Sequence, residues 1–186
     1  YWDWCTGAEG SDHVVICVHG LSRQGRDFDT LAQHLQPHCR VIAVDVAGRG
    51  HSDWLADPMD YQLPTYAADL VALIVQLRAA QPALAIDWVG TSMGGLIGIA
   101  LAAQPALGLR RLVLNDVGPT LEWSALSSIG QYVGQPLRFE TEQQVAEVLW
   151  MVLSSFGPHT PAQWLPLSRP LRLALPGCLL YPSVAA

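Results

Sequence analysis

With 186 residues, 51% of them hydrophobic and only 14% charged, the chain is long enough to bury a core and too apolar to stay disordered. A formal net charge of -6 argues against a nucleic-acid partner, because phosphate binding needs clustered positive charge. All of the basic residues are Arg, which excludes lysine Schiff-base chemistry and a Lys-dependent phosphate loop.

Cys5, Cys17, Cys39 and Cys178 show no C-x-x-C spacing, so neither a zinc site nor a redox motif is visible and a reducing cytoplasm is the expected compartment. The longest unbroken apolar run, residues 93–103, is too short to span a membrane, and no signal peptide is visible. The first residue is Tyr1 and not Met, which leaves room for a segment upstream.

The first β-like run is residues 14–18 (VVICV), followed directly by His19-Gly20-Leu21. A backbone N–H just after such a His-Gly pair can hold the oxyanion of an acyl-transfer intermediate, and Leu21 is the expected donor. His19 is expected to brace this loop, and with Gly20 it is a candidate substrate contact. Phe28, Leu31, Ala32 and Leu35 then fall at i, i+3, i+4 and i+7, the spacing of one helix face. A second run, 41–45 (VIAVD), leads into the glycine-containing loop 45–52. There Asp45 is expected to stabilise the loop, and His51 is a candidate substrate contact near the mouth.

Leu70, Leu73, Ile74 and Leu77 predict a second helix, with Thr65 as its N-cap after Pro64. The third run, 84–89 (LAIDWV), ends in Gly90-Thr91-Ser92-Met93-Gly94-Gly95. A serine between such glycines, leaving a strand and opening a helix, has the pattern of a nucleophile elbow. The sharp turn lifts the hydroxyl out of the sheet, and the Met93 N–H at the helix start is the second expected oxyanion donor. Residues 93–104 read as a helix of small side chains, and 111–114 (RLVL) as a fourth strand ending in Asn115-Asp116-Val117-Gly118-Pro119. Asp116 has two readings, a turn residue or a catalytic acid. Strand and helix in alternation predict a doubly wound, mainly parallel α/β sheet.

Beyond Pro119 two amphipathic helices, 124–132 and 142–154, are expected with no strand between them. They are read as a cap, with ordinary sheet-covering helices as the alternative, and Trp123, Leu126, Ile129 and Trp150 are candidates to line an apolar pocket or to fill a core. Residues 165–186 are crowded with Pro and show no sustained period, so an irregular tail is expected. The chain divides on this reading into an incomplete core (1–119), a helical cap-like segment (120–165) and the tail (166–186).

His19-Gly20, the loop 45–52, the elbow 90–95 and the turn 115–119 occur in the order seen in the α/β-hydrolase superfamily. Over about residues 1–170 the chain resembles its bacterial esterase-like members. The resemblance implies carboxylic-ester hydrolysis through an acyl-enzyme on Ser92, with a small-molecule ester or acyl substrate and no metal or organic cofactor. Relatives that place Asp at the Ser92 position, the dehalogenases and epoxide hydrolases, are disfavoured. Residues 1–4 correspond to the end of the family's second strand. The family takes its acid and its histidine from later strand–helix units, and no such pattern follows the cap. The expectation is therefore an incomplete coding sequence, with the tail read in a shifted frame, and a chain inactive by itself. A degenerate, non-catalytic hydrolase fold and an acyltransferase stay open beside the hydrolase. The sequence leaves the oligomeric state undetermined.

Overall fold

The computed structural model describes residues 1–5, 11–130, 137–153, 157, 159–168, 173–175 and 178–181. Five strands build its main sheet: β1 (Trp2–Trp4), β2 (His13–Val18), β3 (Arg40–Val44), β4 (Ala85–Thr91) and β5 (Leu109–Asn115). Their spatial order is β1-β3-β2-β4-β5. Strand β1 runs antiparallel to β3, and every other pairing is parallel. The doubly wound, mainly parallel sheet read from the sequence is thus present, with Trp2–Trp4 as its outer strand.

Strands β2, β3 and β4 lack polar alternation because both of their faces are covered. Val14, Ile16 and Val18 of β2 enter one core with Ile42, Val44, Ile86 and Trp88. Val15 and Cys17, on the opposite face, join Val41 and Ala43 in a second core. The first core is closed by α2 (Leu63–Ala80), through Tyr66, Leu70, Ile74 and Leu77, and by α3 (Met93–Ala102), through Met93, Ile97 and Leu101. The second is closed by α1 (Asp29–Leu35), which brings Ala32 beside Phe28.

From β2 the chain moves to β3 on one side, then returns through α2 to β4 on the other. The winding therefore reverses beside β2. The crevice between the C-terminal ends of β2 and β4 is the switch point at which open α/β sheets bind ligands.

Three local expectations are corrected. Helix α2 starts at Leu63 with Gln62 as N-cap, three residues ahead of the expected cap at Thr65, because Pro64 fits a first turn in which its missing N–H is not needed. Residues Gly25–Phe28 form a 3₁₀ turn before α1, so the helical period does not run through Phe28 and Leu31 is 36% exposed. A strand, β6 (Leu137–Phe139), lies between α4 (Trp123–Gly130) and α5 (Glu142–Leu153), where none was expected.

The C-terminal part also carries order that local pattern does not announce. Helix α6 (Pro161–Ser168) packs Trp164 against Val145, Ala146 and Leu149 of α5, and the Trp164 indole donates to the Ala146 carbonyl at 2.7 Å. Strands β7 (Leu173–Leu175) and β8 (Cys178–Tyr181) form a small antiparallel sheet with β6, in the order β6-β8-β7. The segment expected to be irregular thus holds a hairpin, formed by pairing with a strand some forty residues earlier and not by its own period. Trp123 and Leu126 are exposed, and Trp150 meets Trp164 edge-on at 5.6 Å. The Ile129 side chain, residues 131–132 and Ser154 lie outside the described residues.

Candidate active site

Ser92 joins β4 to α3 with φ 49° and ψ -114°, a left-handed conformation that a side chain adopts only where its surroundings impose it. Several groups impose it here. The Ser92 N–H donates to the Asn115 carbonyl at the end of β5 (2.9 Å), and the Ser92 carbonyl accepts from the Gly95 and Leu96 N–H groups (2.8 and 3.1 Å). The Trp88 indole donates to the Gly94 carbonyl at 3.0 Å, tying strand to helix across the bend. Glycine is required at two positions. A Cβ on Gly94 would collide with the Val18 carbonyl, and one on Gly90 with the backbone of Gly94 and Gly95. Among the described residues nothing hydrogen-bonds the Ser92 hydroxyl or the Met93 N–H.

Opposite the elbow, Gly20, Leu21, Ser22 and Arg23 form a β-turn closed by the Arg23 N–H on the Gly20 carbonyl (3.1 Å). It adjoins the serine: a Cβ on Gly20 would lie 3.6 Å from the Ser92 Cβ. His19 is buried beneath it. The Val46 N–H donates to His19 Nε2 at 3.2 Å, so the ring proton sits on Nδ1, which donates to the Gly20 carbonyl at 2.7 Å. Burial pushes the His19 pKa down to about 4, and the ring stays neutral at pH 7. The Gly20 carbonyl and the Leu21 N–H belong to one peptide. With the carbonyl held by His19 and Arg23, the N–H must face the other way, and no described residue accepts it.

The loop after β3 is braced by Asp45. Its carboxylate accepts from the Gly25 N–H (2.7 Å), the Trp2 indole (3.0 Å) and the His51 N–H (3.1 Å), so its acceptor capacity is largely spent on the fold. The His51 ring lies against Trp2, 4.9 Å between centroids, on the outermost strand, which β3 and β2 separate from β4. Asp116, at φ 55° and exposed, follows Asn115 and so stands next to the elbow on the neighbouring strand.

None of the six histidines is bonded to Ser92. His13 pairs with Asp87 at the opposite end of the sheet (2.9 Å), His34 bonds the Thr30 carbonyl, and His159 bonds the Gly157 carbonyl and lies 5.5 Å from the Trp164 ring. Two residues that sequence alone does not single out approach the turn. Arg23 is bound in bidentate fashion by Asp27 (2.6 and 2.7 Å) and reaches the Leu167 carbonyl of α6 at 3.3 Å; Arg49 donates to the Leu21 carbonyl at 3.2 Å. Only the four-residue spacing of Arg23 and Asp27 hinted at either. A groove of about 410 Å³ lies between β3, α2 and the loop after β3, and neither Ser92 nor Leu21 forms part of its wall. Among the described residues no three His, Cys, Asp or Glu side chains gather to hold a metal.

Comparison with known proteins agrees with this fold. A family model described as the alpha/beta hydrolase fold matches residues 13–159. Over 168 residues the chain is 48% identical to the 3-hydroxybutyrate-oligomer hydrolase of Cupriavidus necator, covering 90% of this chain and 55% of that protein. Over 116 residues it is 34% identical to the pimeloyl-[acyl-carrier protein] methyl ester esterase of Vibrio vulnificus, covering 62% of this chain and 40% of the relative. A crystal structure of an α/β hydrolase from Novosphingobium aromaticivorans superposes with a TM-score of 0.81 at 36% identity, over 92% of this chain and 59% of that one. The chain spans about half the length of the curated relatives it matches. Its strand order, its elbow and this match over most of its length make it a member of the α/β-hydrolase fold family.

Proposed function

We propose that the chain provides the nucleophile and oxyanion-binding half of a serine ester hydrolase, with Ser92 as the attacking group. The observation that carries this is the positive φ of Ser92 beside two N–H groups, of Leu21 and Met93, that have no acceptor among the described residues. Ser92 Oγ attacks the ester carbonyl carbon, and the carbonyl electron pair moves onto oxygen between those two donors. The tetrahedral species collapses with loss of the alcohol, and water later releases the acid from the acyl-serine. Both steps need a base: in the first it takes the Ser92 proton and passes it to the leaving alcohol, and in the second it takes a proton from water and returns it to the Ser92 oxygen. Asp116, one residue beyond the Asn115 carbonyl that holds the elbow, is the acid we assign to orient it. Similarity to the 3-hydroxybutyrate-oligomer hydrolase points to esters of short hydroxy acids as substrates.

A fluorophosphonate that reports on Ser92 tests the nucleophile, with Ser92→Ala as the control that must lose the label. Turnover of a linear 3-hydroxybutyrate dimer tests the substrate class. Absence of Ser92 labelling in a protein extended to the length of its curated relatives would overturn the assignment. A second reading, a hydrolase fold that binds without turnover, is favoured by the absence of any imidazole on Ser92. Ester turnover by the 186-residue chain itself removes it.

A further inference from the structure

Asp116 stands between two anchors on the elbow. On the strand side Asn115 meets β4: its carbonyl accepts the Ser92 N–H at 2.9 Å, and its side-chain amide donates to Thr91 Oγ1 at 3.2 Å. On the helix side Val117 meets α3. A Cβ on Gly95 would collide with the Val117 Cγ1 methyl, so that methyl fills the space a side chain at residue 95 would need. The Gly90 carbonyl and Leu114 Cδ2 lie 3.2 and 3.3 Å from the same position, tight but short of collision. Gly95 is buried and Val117 half-buried, whereas Val113 on the strand before it is 52% exposed. Residues 115–117 therefore cross from the end of β5 to the first turn of α3, held at Thr91, Ser92 and Gly95.

The crossing depends on the conformation of its middle residue. Asp116 has φ 55°, in the left-handed region where a Cβ crowds the following carbonyl. At the negative φ of a strand the chain would continue along β5 and carry Val117 away from α3. The seat of Val117 on Gly95 thus offsets the cost of that conformation, and the conformation sets where Asp116 stands beside the elbow. Gly90 and Gly94 let backbone pass backbone. Gly95 differs from them, because what it makes room for is a side chain, that of the residue after Asp116.

We propose that Val117 is a positioning residue for the acid: seated on Gly95, it holds Asp116 in its left-handed conformation beside Ser92. This rests on the serine-hydrolase reading above. The test has two arms. In the 186-residue chain, amide hydrogen exchange at Ser92, whose N–H bonds the Asn115 carbonyl, is compared with exchange at Leu96, whose N–H bonds the Ser92 carbonyl. Val117→Ala is expected to speed Ser92 exchange about tenfold with Leu96 unchanged, and Val113→Ala to change neither. Gly95→Ala is expected to loosen the Ser92 amide further, and adding Val117→Ala to it to slow the exchange again, because the colliding methyl is gone. The same substitution then acts with opposite sign in the two backgrounds.

The second arm measures ester turnover in a protein extended to the length of its curated relatives. Val117→Ala is expected to lower kcat about tenfold with KM within about twofold. The acid limb of its pH profile moves to lower pH, because a base that loses its carboxylate neighbour binds a proton less readily. Ser92 exchange unaltered by Val117→Ala would overturn the proposal, as would loosened exchange with kcat and the acid limb both unchanged. Val117→Ala carries both comparisons if the Gly95 variants do not fold. An extended protein that never labels at Ser92 removes the serine reading, and this role with it, whatever the exchange shows.

Discussion

The Trp88 indole N–H donates to the Gly94 carbonyl at 3.0 Å, so a residue four positions before Ser92 grips the helix that starts after it. The bond is buried, and Gly98 is packed against the same indole. Trp88→Phe keeps the ring contact and removes the donor. It is expected to lower stability by about 1–3 kcal/mol, read as a shift of the urea midpoint at constant slope. A loss below about 0.5 kcal/mol would show that the grip adds nothing.

Gly94→Ala places a methyl group on the Val18 carbonyl, where neither backbone can yield. A cost of about 3 kcal/mol is expected, with helix α3 displaced from β2. Thermal melts measure the cost, and loss of probe labelling at Ser92 measures the displacement. An alanine variant with unchanged melting would contradict the packing described.

Ser92→Gly should have opposite effects on stability and chemistry. Releasing a side chain from φ 49° is expected to stabilise the fold by about 1 kcal/mol after the added unfolded-state entropy of glycine is counted. Ser92→Ala keeps the strained backbone and should stay near the parent. Both lose labelling. Equal stability of the two variants would show that the bend carries no strain.

Stability should fall in acid as His19 takes up a proton. The folded pKa of His19, about 4, lies below its ordinary value of 6.5, so protonation favours the unfolded chain. The contribution of the neutral ring is complete above pH 6.5 and is lost as pH falls toward 4, on the order of 3 kcal/mol in all. Asp87 acts lower on the scale. Hydrogen bonds from Arg110 hold its carboxyl below 3.8, so its contribution is present above that value and lost only beneath it. Urea midpoints at pH 7.5, 5.5 and 4.5 measure the slope, which His19→Asn should flatten.

Among the described residues strand β5 is the outer strand of the sheet on its side, and Val113 on it is 52% exposed. A free apolar edge is a template for pairing with other chains. Val113→Lys is expected to change stability by less than about 0.5 kcal/mol and to reduce light scattering on concentration. Scattering equal to that of the parent would locate the association elsewhere.

The residues that could be read in advance are those whose pattern is local. Ser92 between glycines, directly after an apolar strand, has one physical solution, and the strands covered on both faces announce themselves as unbroken apolar runs. Leu31 misled because a 3₁₀ turn broke the phase of the helix before it began. Strands β6 and β8 were illegible because three or four residues acquire strand geometry only from a partner far along the chain. The same holds in the site. Arg49 and Arg23 act on carbonyl groups brought near by folding, and no spacing encodes a bond to Leu21 or to Leu167. His51 was placed near the mouth from its loop alone; Trp2, nearly fifty residues earlier, holds its ring at the outer strand.

Every contact that shapes the elbow is made by backbone or by a neighbour's side chain, while the Ser92 hydroxyl makes none among the described residues. The architecture is therefore indifferent to which heteroatom occupies that vertex. A thiol or a carboxylate would meet the same frame there, so the group at this vertex can be exchanged without redesigning its support.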